Sequence, residues 1–335
     1  MATFGTQSMS ASSKARLLAR KAKAHLIRFD AAHRPIVVMA LRRGGSTMVA
    51  DTISINRGVW GANEPFAVFD AHPGYDLKQR LLPPREHSQF FELDPEELDQ
   101  FARFAKGLLG AQYPQLGSCA RPKPFLKADR VCLKVLNAPW MIDWFAQNTN
   151  AHVLPLVRHP GAQAISVLRQ NWGFAVEAYG RQLDRIGHHF SEGQREMITD
   201  VLKGDDTWAI AILDYAVLTR LFFTGYTDRI VRYEDIVTDP ARFVDEVLIA
   251  QFGLPERDRM LATLSRPSHS SRMSLNSVNE AIKAGKTNDI LHNWRSKVTP
   301  EMLAVGQRIL DMFEIETYHF LDDRKADLQP SDKGL

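Results

Sequence analysis

The segment Pro35–Ile53 (PIVVMALRRGGSTMVADTI) carries the residues best suited to bind an anion. Its apolar start, Pro35–Leu41, is typical of a strand buried on both faces, and Ser46–Ile55 has the pattern of a helix. Between them, two glycines let the backbone curl so that successive amide N–H groups point inward. Arginine and the helix N-terminus add positive potential, and two hydroxyls can donate hydrogen bonds. The loop therefore predicts a phosphate or sulfate site, but not a Walker A loop, because GxxxxGK[ST] is absent.

A second candidate anion site follows the predicted strand His152–Val157. Arg158 lies at the carboxyl end of that strand, where α/β proteins place their ligands. Ser166 comes eight residues later, in the next predicted helix, close enough for both side chains to reach one phosphate. The alternative is structural: an arginine paired with a carboxylate, and a serine bonded to its own helix. Together the two sites predict a ligand with two separated anionic groups.

Strand and helix patterns alternate along the chain, which is typical of a parallel sheet with right-handed crossovers. Further strands are predicted at Val131–Leu136, His152–Val157 and Asp228–Tyr233, and the helices that follow them at Ala138–Gln147, Gly161–Gln170 and Pro240–Phe252. We therefore expect a three-layer α/β fold of the P-loop-like kind, with a central, mostly parallel sheet flanked by helices.

One domain is expected over residues 35–320, with insertions at 56–130 and 171–227 and a polar tail at 321–335. The first insertion is rich in proline, histidine and acidic residues and is predicted to form a lid or substrate wall. The second is predicted to be helical, with Trp208–Phe223 nearly continuous in apolar residues.

The net charge of +3 is unevenly distributed. Residues 1–34 contain seven basic residues against Asp30, a net +6, so the remaining 301 residues sum to −3. A slightly acidic body argues against a nucleic-acid-binding domain, which would carry a basic surface. Within the arm, Lys14–Phe29 predicts an amphipathic helix. It could lie on an anionic membrane, but a docking helix or solvated arm is favoured because the apolar face is small and rich in alanine.

The location is expected to be cytoplasmic, with residues 14–29 as the segment for any peripheral membrane contact. The longest apolar runs fall well short of the roughly 18–20 residues needed to cross a bilayer. No secretory signal pattern is evident. The only cysteines, Cys119 and Cys132, are too few for a disulfide framework.

The two anion motifs resemble those of the sulfotransferases that use 3′-phosphoadenosine 5′-phosphosulfate. In that family a [KR]-x-G-[ST]-[ST] loop holds the 5′-phosphosulfate, and Arg43-Gly44-Gly45-Ser46-Thr47 is similar to it. The family's 3′-phosphate motif is an arginine followed eight residues later by serine, as in Arg158 and Ser166. The resemblance implies that these residues bind the donor.

Three more segments, within a resemblance covering about residues 35–315, agree with that family. Lys134 lies 24 residues before Arg158, where cytosolic members carry a lysine directed at the phosphosulfate. Val231–Ile236 (VRYEDI) is similar to the YEDL segment, which implies that Tyr233 is close to the adenine. Asn293-Trp294-Arg295, followed by Thr299-Pro300-Glu301, resembles the W-[RK]…[ST]-x-E element, so Trp294 and Arg295 are expected at the donor site.

The chain departs from the cytosolic phenol and steroid sulfotransferases in its catalytic base. Their histidine, two residues after the strand lysine, is replaced here by Leu136. Glycan-directed and several bacterial members use a glutamate shortly after the first helix, and Glu64 in GANEPF resembles it. Alternative bases in the same insertion are His72, His87 and Glu92.

The donor contacts also depart from the cytosolic pattern. The Arg-Lys-Gly element that binds the 3′-phosphate is missing, and the segment with Lys283 and Lys286 resembles it only weakly. These two lysines are the corresponding candidate contacts. Met48 stands where a cytosolic member has an adenine-stacking tryptophan, so a looser adenine slot is expected. Elsewhere, His188, His189 and Glu192 have side chains that can bind metals, but nothing in the sequence completes such a site, and a solvated helix end is the simpler interpretation.

The resemblance implies an enzyme that moves a sulfuryl group from the donor to an acceptor hydroxyl, on a carbohydrate or glycolipid. Arg43, the loop and Lys134 would stabilise the phosphosulfate, Arg158 and Ser166 would anchor the 3′-phosphate, and Glu64 would deprotonate the acceptor. No metal is expected, because the loop supplies the positive charge. The alternatives are a P-loop kinase or nucleotide hydrolase, and a non-catalytic relative that binds nucleotide or glycan.

Overall fold

The computed structural model describes residues 26–68, 74–84, 91–117, 127–170, 173–267, 280, 282 and 284–320. Its strands are β1 Arg28–Phe29, β2 Ile36–Ala40, β3 Val59–Asn63, β4 Lys127–Ala128, β5 Arg130–Val135, β6 His152–Val157 and β7 Val231–Arg232. Five of them form a parallel sheet in the order β3-β5-β2-β6-β7, while β1 and β4 pair separately, also in parallel.

Helices connect and cover these strands. They are α1 Ser46–Ser54, α2 Tyr75–Leu81, α3 Pro95–Leu109, α4 Ile142–Asn148, α5 Pro160–Leu168, α6 Ala175–Gly180, α7 Leu183–Ile186, α8 Glu192–Lys203, α9 Thr207–Phe223, α10 Tyr233–Thr238, α11 Pro240–Arg242, α12 Arg257–Leu264, α13 Thr287–His292 and α14 Pro300–Met312. Short 3₁₀ turns lie at Pro114–Leu116, Pro139–Met141, Gly187–His189, Thr224–Arg229 and Arg295–Lys297, and a π-helix spans Phe243–Gln251.

Strand β2 separates two hydrophobic cores. Successive side chains of a strand point to opposite faces of its sheet, so a strand covered on both sides must be apolar throughout. Val37 and Met39 belong to the larger core, whereas Ile36, Val38 and Ala40 belong to the smaller one. All five are fully buried. The predicted three-layer α/β fold with a parallel central sheet is therefore confirmed.

The two cores differ in the elements that close them. Helices α3, α4, α9 and α14 contribute to the larger core, and α1, the π-helix and α12 to the smaller one. Helix α9 is buried on nearly all sides, which explains the almost continuous apolar run of Trp208–Phe223 in its sequence.

The structure differs from the sequence predictions at three places. The first insertion, expected to form a lid or substrate wall, also supplies a strand of the sheet, because its residues Val59–Asn63 form edge strand β3, paired with β5. The strand expected at Asp228–Tyr233 is confined to Val231–Arg232, and Tyr233 begins a helix whose first turn carries Glu234 and Asp235, which favour a helix N-terminus.

The third correction concerns the N-terminal arm. Arg28–Phe29 is a strand rather than the end of a helix over Lys14–Phe29, because its backbone pairs with Lys127–Ala128. Residues 14–25 of that predicted helix lie outside the described residues, as does Cys119. Cys132 is buried in strand β5. No helix in the described part of the chain is long and apolar enough to span a membrane.

Candidate active site

Parallel pairing brings the carboxyl ends of all five sheet strands to one edge. Lys134 near the end of β5 pairs with Val38 of β2 on one side and with Asn63 of β3 on the other. On the opposite flank, Val157 of β6 pairs with Arg232 of β7. The residues that follow these strands therefore meet at a single site. They are the Arg42–Thr47 loop, Glu64, Arg158 and Tyr233.

The loop after β2 is tightly curled. Arg43 has φ 63° and Gly45 φ 92°, and the amide of Gly44 donates to the carbonyl of Leu41 at 3.1 Å. A Cβ on Gly45 would lie 2.3 Å from Cδ2 of Tyr233, so this position needs glycine for both conformation and space. Gly45 is also the N-cap of α1, and no described side chain caps that helix. The first amides of α1 are therefore available to an anion.

The two predicted anion sites lie together. Arg43 Nε donates to Ser166 Oγ at 2.9 Å, and Arg158 Nη1 donates to the carbonyl of Arg43 at 3.4 Å. The Arg158 guanidinium lies 4.6 Å from the ring centroid of Tyr233, a cation–π geometry. Arg158 Nε is buried and has no hydrogen-bond partner among the residues that the structure describes. Such a donor can be satisfied by a bound anion.

Positive charge accumulates at this end of the site. Burial lowers the pKa of the Arg43 guanidinium, and the charges of Arg158 and Arg169 lower it further. Burial also lowers the pKa of Lys297, to which Arg169 adds repulsion. A bound anion would relieve both effects. Sequence reasoning missed Arg169 and Lys297, although Arg169 follows Ser166 by about one helical turn, the spacing of neighbours on a helix surface.

The other end of the site holds a carboxylate, an ammonium group and a hydroxyl. Lys134 Nζ lies 2.8 Å from Glu64 Oε1 and 3.1 Å from Thr47 Oγ1. Lys134 is 5% exposed, so its charge acts in a partly desolvated setting. The Glu64 amide donates to the Lys134 carbonyl at 2.9 Å, which continues the strand pairing by one residue. These contacts bring together the predicted base, the strand lysine and the loop.

A buried lysine lies beneath Glu64. Lys78 on α2 is 1% exposed, and its Nζ donates to the carbonyls of Glu64 at 3.2 Å and Ala67 at 2.9 Å. These bonds fix a turn in which Glu64 has a left-handed φ of 49°. Burial lowers the pKa of Lys78 to about 8, and the negative charge of Glu64 opposes that shift. No local pattern marks Lys78 in the sequence, because its role depends on how α2 packs.

The remaining predicted donor contacts are less closely joined to this site. Met48 packs against the smaller core. Trp294 is buried and stacks on His159 at 4.4 Å, and the Arg295 guanidinium lies 5.2 Å from the Trp294 ring centroid. Lys286 is exposed at the N-cap of α13, and no contact within the described part of the chain joins it to the arginine cluster.

The alternative bases are not brought to Lys134 by the described contacts. Glu92 pairs with Arg185, His188 and His189 instead. His72, His87 and the predicted contact Lys283 lie outside the described residues.

Glu234, beside Tyr233, holds the arginine end of the site in shape. Its Oε1 accepts from the His159 amide at 2.9 Å, and its Oε2 accepts from the Tyr318 hydroxyl at 2.7 Å. His159 Nδ1 in turn accepts from the Gly161 amide at 3.1 Å at the start of α5. Burial lowers the pKa of His159 to about 3, so its ring stays neutral. This network fixes the backbone that directly follows Arg158.

The fold and the site define an α/β protein with a candidate anion site at the carboxyl edge of a parallel sheet. The sequence matches no protein-family model and no curated protein. Among solved structures it is similar to the sulfotransferase domain of the olefin synthase from Synechococcus PCC 7002. That similarity has a TM-score of 0.44 and 17% identity, and it covers 85% of this chain and 96% of that chain.

Lys78 is expected to make stability depend on pH. Its pKa of about 8 lies below the value of about 10.4 in an unfolded chain, so between these values the unfolded state binds more protons. The free energy of unfolding should therefore rise with pH in this window, by up to about 1.4 kcal/mol per unit. Urea unfolding at pH 8, 9 and 10 should show this slope in the wild type but not in Lys78→Met.

Lys106→Met is the matched control, because Lys106 is exposed on α3. It should keep the wild-type slope. Parallel curves for wild type and Lys78→Met would contradict a desolvated ammonium at Lys78.

Proposed function

We propose that this protein is a sulfotransferase that uses 3′-phosphoadenosine 5′-phosphosulfate and transfers its sulfuryl group to an acceptor hydroxyl. The observation that carries the proposal is the pair of charged groups at one sheet edge. Arg43, Arg158 and Ser166 lie together at one end, and Lys134, Thr47 and Glu64 at the other. A donor with a 3′-phosphate and a 5′-phosphosulfate has one anionic group for each end.

Donor binding follows from the chemistry of the two ends. Arg158 Nε and the Ser166 hydroxyl supply donors for the 3′-phosphate, with Arg169 and Lys297 adding charge. Arg43, whose Nε donates to Ser166, joins this end of the site to the phosphosulfate loop. The amides at the start of α1 and the loop hydroxyls bind the phosphosulfate. Tyr233, packed against Gly45 and Arg158, offers an aromatic ring beside the adenosine.

Sulfuryl transfer then proceeds in line. The acceptor oxygen bonds to sulfur while the bond between sulfur and the 5′-phosphate oxygen breaks, and that oxygen keeps the electron pair. Lys134 and the loop amides stabilise the developing charge on the leaving phosphate. Glu64 accepts the proton of the acceptor hydroxyl. Its Oε1 lies 2.8 Å from the Lys134 ammonium. The protein's own cations supply the charge, so the mechanism requires no metal.

The acceptor is proposed to be a carbohydrate or glycolipid. A sugar hydroxyl is a weaker acid than a phenol and gains more from a carboxylate base as its bond to sulfur forms. The first insertion supplies β3, Glu64 and the buried Lys78 that supports the Glu64 turn, so this segment forms the acceptor side of the site.

Donor binding can be tested by thermal denaturation with 3′-phosphoadenosine 5′-phosphate, with AMP, and with ATP plus Mg²⁺. The bisphosphate alone should raise the melting temperature, because a ligand at about 100 times its Kd stabilises the native state by about 2.7 kcal/mol. Arg158→Ala should abolish the shift, Ser166→Ala should reduce it, and Arg103→Ala on the exposed face of α3 should leave it unchanged. A shift with ATP and Mg²⁺ alone would indicate a kinase or nucleotide hydrolase instead.

A substitution at Glu64 tests catalysis separately from donor binding. Glu64→Gln should keep the stabilisation by 3′-phosphoadenosine 5′-phosphate and lower transfer to sugar acceptors by about 10²- to 10⁴-fold, the usual contribution of a general base. Release of the bisphosphate would be followed with glycan, glycolipid and phenol acceptors. Turnover with phenols only would refute the carbohydrate proposal. Unchanged turnover in Glu64→Gln would refute the proposed base.

The basic arm is proposed to hold the enzyme at an anionic membrane that carries lipid-linked acceptors. Removal of residues 1–25 leaves the strand Arg28–Phe29 intact, so the fold should be kept. The truncated chain should bind less to anionic vesicles and turn over glycolipids more slowly, with soluble glycans unaffected. Vesicles of neutral lipid are the control. Equal partitioning and activity in both chains would exclude this role.

A further inference from the structure

Three side chains that can bind metals meet at the junction of the two insertions. Glu92 precedes α3, while His188 and His189 end the 3₁₀ turn Gly187–His189. Glu92 Oε1 lies 3.3 Å from His188 Nε2 and 3.2 Å from His189 Nε2. Glu92 and His189 are 97 residues apart in sequence, which is why the local pattern of His188, His189 and Glu192 did not indicate a site.

The spacing of these atoms suits a four-coordinate ion. Zinc binds imidazole nitrogen at about 2.0–2.1 Å and carboxylate oxygen at about 2.0–2.2 Å, so neighbouring ligand atoms in a tetrahedron are about 3.3–3.5 Å apart. Both measured oxygen–nitrogen distances are at or just below that range. All three ligand atoms lie within 4.8 Å of one another, so side-chain adjustment could bring them around one ion.

The hydrogen bonds around His188 leave Nε2 of its ring facing the Glu92 carboxylate. His188 Nδ1 lies 3.1 Å from the Arg185 carbonyl, which can only accept, so Nδ1 carries a proton. In the neutral ring Nε2 then has only a lone pair, and that lone pair faces Glu92 Oε1. Two acceptor atoms at 3.3 Å repel each other unless a cation, either a proton or a metal ion, lies between them.

Arg185 also fixes the carboxylate. Its Nε lies 3.3 Å from Glu92 Oε2, and its Nη2 donates to the Glu92 carbonyl at 2.8 Å. Glu92 Oε1 is thereby left to the two histidines. Outer contacts of this kind, in which a histidine donates to a backbone carbonyl and a cation lies beside the second carboxylate oxygen, are typical of metal ligands.

We propose that Glu92 Oε1, His188 Nε2 and His189 Nε2 bind one divalent transition-metal ion of the zinc class. Two imidazoles and one carboxylate suit such an ion. The side chain of His188 is 64% exposed, and His189 borders a surface cavity of about 730 Å³, so water can supply the fourth ligand. The ion ties the segment before α3 to the turn before α8. The cluster takes no part in the proposed sulfuryl transfer.

Binding can be measured on the full chain, purified without a histidine tag, by titration with Co²⁺ and then Zn²⁺. We expect one equivalent of Co²⁺ to give the visible absorption of a four-coordinate ion, Zn²⁺ to displace it, and Zn²⁺ to raise the melting temperature. Glu92→Gln and His188→Ala should each weaken binding by at least tenfold.

Matched controls are His33→Ala and Glu96→Gln, both at exposed positions outside the cluster, which should bind as the wild type does. Circular dichroism of each variant without metal checks that the fold is kept. Failure to bind one equivalent, or equal affinity in the cluster variants and the controls, would overturn the proposal.

Discussion

The site depends on the alignment of parallel strands at one edge of the sheet. In a parallel sheet every strand runs in the same direction, so the residues that leave the carboxyl ends must share one side of the domain. Here that rule gathers the loop after β2, Glu64 after β3, Lys134 in β5, Arg158 after β6 and Tyr233 after β7. Each comes from a different part of the chain, and none would meet another without the register of the strands.

That alignment also concentrates charge in a place where water is scarce. Arg43 has a depressed pKa because it is buried and faces other cations, and Arg158 keeps a buried donor without a described partner. Such an arrangement raises the free energy of the native state without a ligand, and a bound anion lowers it. At the other end, Lys134 meets Glu64 and balances its charge. The two ends are electrostatically different, which suits a ligand whose anionic groups play different parts.

Several side-chain contacts around the site hold its backbone in place. Glu234 joins the His159 amide to the Tyr318 hydroxyl, Lys78 holds the Glu64 turn, and the Tyr233 ring fills the space that Gly45 leaves. These contacts fix backbone groups rather than a ligand. The strained conformations of Arg43 and Glu64 persist because this packing determines them.

The sequence by itself determined the α/β class, the apolar strand β2, the curled loop that follows it and the Arg158–Ser166 spacing, because strand pattern, glycine chemistry and helix periodicity are local properties. It did not reveal β3, whose assignment as an edge strand depends on pairing with β5. It also misjudged the extent of the strand before Tyr233. Only the tertiary structure revealed the positions of three cations at the site, Lys78, Arg169 and Lys297. It also brought Glu92 together with His188 and His189. Contacts between residues tens of positions apart depend on how helices pack, and no local pattern encodes that.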